Sequence, residues 1–336
     1  MLSPCRTEGA GLLVRDAYVA AFANELTWFA KRAGFVTPLV AKKCTDYHSL
    51  GADVRAWVHN EDGDRADIDE SYLIDATVAP TNTSSTRGSH RVAFVYGHDL
   101  VGGWAWSLNG HGLAQSVNAL IPRNLTIGVT DSFLARHVAG AASLDEARRR
   151  ACETPMAGGQ HFNLGSIHEP NRQLMIEASN VGCDVRTLAP PPTTTATSSS
   201  TTEKAGDVTV GFHTNLYESA KLKGIDGGQS VALDGISSAH RMARMADLPP
   251  AKEMRALEAV VSDTQDATYP IHRTAAPPDL FMTLNSVSFD VAARRVDVWG
   301  QESPVGSGGR PLLTIDWATL RIERGGGLSR SERPLS

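Results

Sequence analysis

A strand–turn–strand pattern between Cys44 and Asp62 leaves this chain few folds to choose from. Val54, Ala56 and Val58 alternate with Arg55 and Trp57, the period of a half-buried strand. Gly51 stands where the chain can reverse, so one strand starts near Cys44 and the next ends near Asp62. The spacing is 62 − 44 = 18 positions. A hairpin of that size returns a carboxylate to a thiol at one edge of a sheet.

The same signals recur down the chain. Segments 72–78 and 90–96 read as strands. Segments 104–108 and 112–118 flank Asn109-Gly110, a pair suited to a tight reversal. Segments 160–167 and 172–178 read as a further hairpin that turns at 168–171. Strands follow at 207–212 and 280–289, and 296–299 and 312–317 pair as the closing strands. Helical periodicity appears at 12–33, where Val14, Tyr18, Phe22, Leu26 and Phe29 form one stripe ended by Gly34 and Pro38. Shorter helices are expected around 133–136, from Ser143 (with Glu146 at capping-box spacing), at 237–246 and at 251–262. Strands outnumber helices, and the helices come in pairs. That suits an α+β chain of two antiparallel sheets stacked face to face with helices outside.

Composition removes several classes of partner. A net charge of −5 argues against nucleic acid, and no apolar run is long enough to span a membrane. The first eleven residues lack an apolar signal core, and four unevenly placed cysteines do not form a disulfide framework, so a cytoplasmic protein is expected. Cys5, Cys152 and Cys183 (the last in a loop) read as structural or incidental. The eleven histidines show no metal-ligand spacing: His168-Glu169-Pro170 lacks the second histidine of a zinc helix. Gly9-Ala10-Gly11 lacks the preceding strand that a dinucleotide loop needs, and no phosphate loop is present. No metal and no cofactor are expected. Residues 190–203, rich in Pro, Thr and Ser, read as a disordered insert within a domain, because strand-like sequence resumes on both sides. Residues 325–336 read as a loose tail.

Three stretches together carry a resemblance. Cys44-Thr45, a strand, a turn and His59-Asn60-Glu61-Asp62 form the first. Asn109-Gly110-His111-Gly112-Leu113 with Ser116-Val117-Asn118-Ala119-Leu120 and Pro122 forms the second, and His213-Thr214-Asn215-Leu216-Tyr217 the third. In this order, across 43–317, they resemble the isopenicillin N acyltransferase-like family, which includes the acyl-CoA:6-aminopenicillanic-acid acyltransferases and the β-alanyl-dopamine and carcinine hydrolases. The resemblance implies an N-terminal-nucleophile hydrolase with a four-layer αββα sandwich. It also implies a precursor that cuts itself before a cysteine. Residues 1–43 would then be a pro-segment that stays bound after the cut, and 44–324 the hydrolase domain. Two departures stand out: Lys43 occupies a place where a smaller residue is common, and the pro-segment is short.

The chemistry asks for a nucleophile, a base and an oxyanion donor. A free thiol has a pKa of roughly 8.5, and an α-amino group one of roughly 7.7–8.0. A cut before Cys44 would therefore give one residue both the nucleophile and its base. Asp62 would orient the new ammonium or the thiol; the plain alternative is a turn-stabilising aspartate. Asn215 would donate to the oxyanion, or else simply end a strand. Tyr217 and His213 would line the substrate pocket. Arg241 or Arg273 would hold an acyl carboxylate or organise the cysteine, with a surface salt bridge as the alternative for each. Asn60 is expected to cap the hairpin and Glu61 to face solvent.

The activity expected is cleavage of a linear amide of N-acyl or β-alanyl type through a Cys44 thioester. The partners expected are a small-molecule amide substrate and the cleaved pro-segment, with no nucleic acid and no membrane; the oligomeric state stays open. Two alternatives stay open: a binding module that never cuts itself, and an ordinary thiol hydrolase with His213 or His272 as base.

Overall fold

The computed structural model describes residues 43–65, 67–77, 90–95, 105–191, 208–225, 233–301, 304–305 and 309–325. The helix expected at 12–33, the rest of the segment before Lys43, most of the 190–203 insert and the tail beyond 325 lie outside the described residues.

In chain order the elements are β1 (Lys43–Gly51), β2 (Arg55–Gly63), α1 (Asp67–Glu70), β3 (Tyr72–Thr77), β4 (His90–Val95), β5 (Trp106–Asn109) and β6 (Leu113–Leu120). Then come α2 (Asp131–Val138), α3 (Leu144–Glu153), β7 (Gly159–Ser166), β8 (Gln173–Ser179), β9 (Gly182–Leu188) and β10 (Val208–His213). A short 3-10 turn, Lys223–Ile225, precedes α4 (Leu233–Asp247) and α5 (Met254–Val261). The chain closes with β11 (Met282–Asp290), β12 (Arg295–Gly300), β13 (Leu313–Asp316) and β14 (Ile322–Arg324).

The strands form two seven-stranded antiparallel sheets. One runs β10-β1-β2-β11-β12-β13-β14, the other β3-β4-β5-β6-β7-β8-β9. The first therefore combines strands from near Cys44 with strands from the far end of the chain. Helix α3 packs on β7, β8 and β9, while α5 packs on β1, β2 and β11. The layers run helix, sheet, sheet, helix, which is the four-layer αββα sandwich that the resemblance implies.

The alternation of β1 and β2 sorts their side chains into two interiors. On one face Tyr47, Val54, Ala56 and Val58 pack with Met245, Leu257, Val260 and Val261 of the helices. On the other, Trp57 stacks on Phe289 with ring centroids 4.3 Å apart and donates from Nε1 to Ser116 Oγ of the facing sheet at 3.1 Å. The half-buried strand expected around Trp57 is thus buried on both faces, because β2 lies inside one sheet of a four-layer stack.

Local chemistry sets the turns. Gly51 N–H donates to Val54 O at 2.7 Å and closes the β1–β2 reversal. Asn109 accepts from His111 and Leu113 N–H with its side-chain oxygen and donates to Ala139 O and Ala141 O. It therefore ties the β5–β6 hairpin to the end of α2. Ser143 caps α3 by accepting from Glu146 N–H. Cys183 corrects a sequence expectation: it lies in β9, not in a loop, and forms a disulfide with Cys152 at the end of α3. Sequence spacing of 31 positions gave no sign of this pairing, because the fold, not the spacing, brings the two together.

Candidate active site

Cys44 lies at the start of β1, with Lys43 opposite Asp62 and Cys44 opposite Glu61 in the β1–β2 register. Side chains of adjacent residues point to opposite faces of a strand. Cys44, Asp46, His59 and Glu61 therefore face the gap between the sheets, and Thr45, Asn60 and Asp62 face the helices. Every one of these residues is fully buried.

On the inter-sheet face a chain of bonds ends on the thiol. Cys44 Sγ donates to Glu61 Oε2 at 3.4 Å, and the same oxygen accepts from His59 Nε2 at 3.0 Å. His59 Nδ1 reaches Asp46 Oδ1 at 3.0 Å, which also accepts from Ser116 Oγ at 2.6 Å. Burial alone would push the His59 imidazole down, but Asp46 and Glu61 on its two nitrogens raise it to about 10. Burial likewise works against the Asp46 carboxylate, yet the His59 charge and bonds from His59 and Ser116 hold it below its usual range. The thiol is the reverse case. Burial, then the negative charges of Glu61, Asp46 and Asp62, push it well above the ordinary cysteine value.

On the helix-facing side the backbone of Cys44 is held. Its N–H donates to Asn215 Oδ1 at 3.0 Å. Arg241 Nη1 donates to Cys44 O at 2.8 Å and to Thr45 Oγ1 at 2.5 Å, and Nη2 to Asn215 Oδ1 at 3.3 Å and Ser238 Oγ at 3.2 Å. Asp62 Oδ2 lies 3.8 Å from Arg241 Nη1 and 3.7 Å from Arg273 Nη1, and Oδ1 accepts from Thr283 Oγ1 at 2.7 Å. Arg273 is also paired with Asp279, through Nε at 2.8 Å and through Nη2. Burial lifts the Asp62 carboxyl to about 6 against the pull of Arg273 and Arg241. Burial, and then repulsion from Arg273, lowers Arg241 to about 10.

The structure thus brings Cys44, Asp62, Asn215, Arg241 and Arg273 together. Both arginines are buried, so neither is a surface residue. Asn215 meets Cys44 with its oxygen, and its nitrogen donates to Ala119 O at 3.2 Å, the reverse of the donor geometry expected of an oxyanion group. Tyr217 packs with Leu120 and Leu222, its hydroxyl against Gly159, two residues beyond Asn215. His213 pairs with Glu177 and with Thr214 O and stacks on His161, and the imidazole that reaches the thiol region is His59.

Two expectations are corrected. Glu61 does not face solvent: it is buried against the thiol. Asn60 does not cap the hairpin, since its Nδ2 donates to Val261 O and Ile271 O and so fastens β2 to the helix layer. His59, Glu61 and Asp46 did not stand out as a unit in the sequence. The signal was their two-residue spacing along β1 and β2.

Cys44, His59 and Glu61 also offer donor atoms within 4.8 Å of one another, a set that could hold a metal ion. A thiol ligates as thiolate, and Glu61 Oε2 already bonds to both Cys44 Sγ and His59 Nε2.

The family model for acyl-coenzyme A:6-aminopenicillanic acid acyl-transferase matches residues 50–303. The chain belongs to this family. The match takes in Glu61, Asp62, Asn215, Tyr217, Arg241 and Arg273 and begins after Cys44. Membership makes the protein an enzyme of the amide-bond hydrolase or acyltransferase class. Among solved structures, a mutant of conjugated bile acid hydrolase from Clostridium perfringens is similar at 12% identity. That match covers 85% of this chain and 97% of that one, with a TM-score of 0.43. Penicillin V acylase from Agrobacterium tumefaciens is similar at 14% identity, over 82% and 88% of the two chains, with a TM-score of 0.44. No curated protein matches the sequence. No helix of the described residues is long and apolar enough to cross a membrane.

Proposed function

We propose that this family member is a self-processing cysteine amidohydrolase or acyltransferase, which cleaves a linear N-acyl or β-alanyl amide through a thioester on Cys44. The observation that carries the reading is the bond from Cys44 N–H to Asn215 Oδ1 at 3.0 Å. Hydrolysis of the Lys43–Cys44 bond would turn that backbone nitrogen into an α-amino group already held by an acceptor. The raised thiol supports the same reading, because a buried thiol with carboxylates around it needs a base within reach.

In the mature enzyme the α-amino group takes the thiol proton as Cys44 Sγ attacks the substrate carbonyl carbon. It then returns the proton to the leaving amine, and water or another acceptor takes the acyl group from sulfur. Arg241 fixes the Cys44 carbonyl, and Asp62 anchors Arg241 and Arg273, so Asp62 acts as a positioning residue. Tyr217 and Arg273 remain candidate substrate-binding residues on sequence grounds.

Intact mass is the test. The chain should resolve into fragments 1–43 and 44–336, and Cys44→Ala should stay whole and lose amide hydrolysis on a panel of N-acyl amines. A wild-type chain that stays whole and binds amides without turnover would instead be a binding module.

A further inference from the structure

We infer that Glu61 takes the Cys44 thiol proton during self-cleavage and passes it to the departing backbone nitrogen, with His59 and Asp46 holding its carboxylate in place. This rests on the reading of Cys44 as a self-processing nucleophile and adds a second acid–base group to it. The α-amino group cannot assist the first cut, because it exists only once the Lys43–Cys44 bond is broken. Another acceptor must serve the intact chain.

The surroundings of Sγ leave one well-placed group. Asp46 is held through Oδ1 by His59 and Ser116, and the thiol bonds to Glu61 rather than to it. Asp62 lies on the opposite face of β2, between Arg241 and Arg273. Arg241 holds the Cys44 carbonyl, and Asn215 accepts the Cys44 N–H. His48, on the inter-sheet face of β1, is taken up by Gln173 and Asn163. Glu61 Oε2 accepts from the thiol itself at 3.4 Å. Glutamate has three rotatable side-chain bonds, and the His59 bond at 3.0 Å removes that freedom. His59, clamped by Asp46, acts as a fixed cation.

The step balances as follows. The Sγ–H proton moves to Glu61 Oε2 while an Sγ–C bond forms to the Lys43 carbonyl carbon. The tetrahedral oxyanion collapses and the C–N bond breaks, and the proton leaves Glu61 for the Cys44 nitrogen. Water then adds to the thioester carbon and the C–S bond breaks. This frees the Lys43 carboxyl and restores the thiol.

The experiment follows self-cleavage of full-length wild type, Cys44→Ala, Glu61→Gln and Glu61→Asp by intact mass from pH 6.5 to 9.5. Loss of a positioned acid–base group costs about 10²–10⁴-fold. Glu61→Gln should therefore cleave at least about 100-fold more slowly at pH 7, and its rate should climb about tenfold per pH unit as hydroxide replaces the carboxylate. Wild type should stay level between pH 7 and 9. A merely structural role would lower the rate without that change of slope. Glu61→Asp, its carboxylate withdrawn by one methylene, should be slower by about tenfold or more with the level profile kept; it decides the matter if Glu61→Gln fails to fold. A wild type that cleaves beside Glu61 variants of equal rate and profile overturns the role of Glu61 alone. A wild type that never cleaves, or a Cys44→Ala chain that does, overturns the processing reading and this inference with it.

Discussion

Cys44 and Glu61 sit directly across the β1–β2 ladder, and the thiol donates to the Glu61 carboxylate at 3.4 Å. Asp62, one residue further on, lies on the other side of the sheet with two arginines. Cys44 is thus held from two faces. The inter-sheet face addresses its sulfur, and the helix face addresses its backbone.

Asp62 should give self-cleavage an acid limb. Burial raises its carboxyl to about 6, so below that pH it is neutral and no longer balances Arg241 and Arg273. Cleavage is expected to fall as pH drops through about 6. Asp62→Asn should cleave at least about tenfold more slowly at pH 7.5 and show no limb near 6. Stability moves the other way. A folded pKa above the unfolded one contributes stability that is complete below pH 3.8 and lost as pH rises through about 6. The thermal midpoint of Asp62→Asn at pH 7.5 should therefore be no lower than that of wild type. A limb that survives in Asp62→Asn would assign it to another group.

Much of this architecture was legible in the chain, because alternation and Asn-Gly or Gly turns fix strands locally. The 18-residue spacing placed Asp62 near Cys44 correctly as to region. It could not fix the register. The Gly51–Val54 turn pairs Leu50 with Arg55, which sets Cys44 against Glu61 and Lys43 against Asp62. A shift of one residue exchanges the two faces of a strand. That shift decides whether Glu61 or Asp62 meets the sulfur. The strands β9 and β14 were missed because the alternation of Cys183-Asp184-Val185-Arg186 lasts only four positions before Thr187-Leu188 breaks it, and β14 spans only three residues. Arg241 and Arg273 were found as candidates, but sequence could not show that both converge on Asp62.

The Cys152–Cys183 disulfide should stabilise the second sheet. It closes a segment of 31 positions that contains β7 and β8. Cross-links over loops of this length are worth about 2–4 kcal/mol. Cys152→Ser with Cys183→Ser should lower the thermal midpoint by several degrees, and reductant should lower wild type but leave the double variant unchanged. Thiol titration of the unfolded chain should count two more thiols after reduction than before it. Four free thiols without reductant would remove the bridge.

Gly165 should tolerate no side chain, because the centre of the inter-sheet core presses on it. A Cβ at that position would lie 2.5 Å from Trp57 Cζ3 and 2.9 Å from Cη2. Trp57 has little room to retreat. It is fully buried, stacks on Phe289, meets Trp317 edge-on with ring centroids 5.9 Å apart, and is pinned through Nε1 to Ser116. Overpacking of this kind costs about 1–3 kcal/mol. In a chain of this size that corresponds to a fall of roughly 1–4 °C in the thermal midpoint. The strain also has a route to Cys44, since Ser116 donates to Asp46, Asp46 holds His59, His59 holds Glu61, and Glu61 accepts from the thiol. Gly165→Ala should therefore slow self-cleavage as well as lower stability, although Gly165 makes no bond to Cys44. The two readouts separate the causes. A lowered midpoint with an unchanged cleavage rate would show that the Trp57–Ser116 bond does not transmit to the site. An unchanged midpoint would mean that Trp57 relaxes freely, and that the two sheets are less tightly fitted at their centre than the 4.3 Å Trp57–Phe289 stack implies.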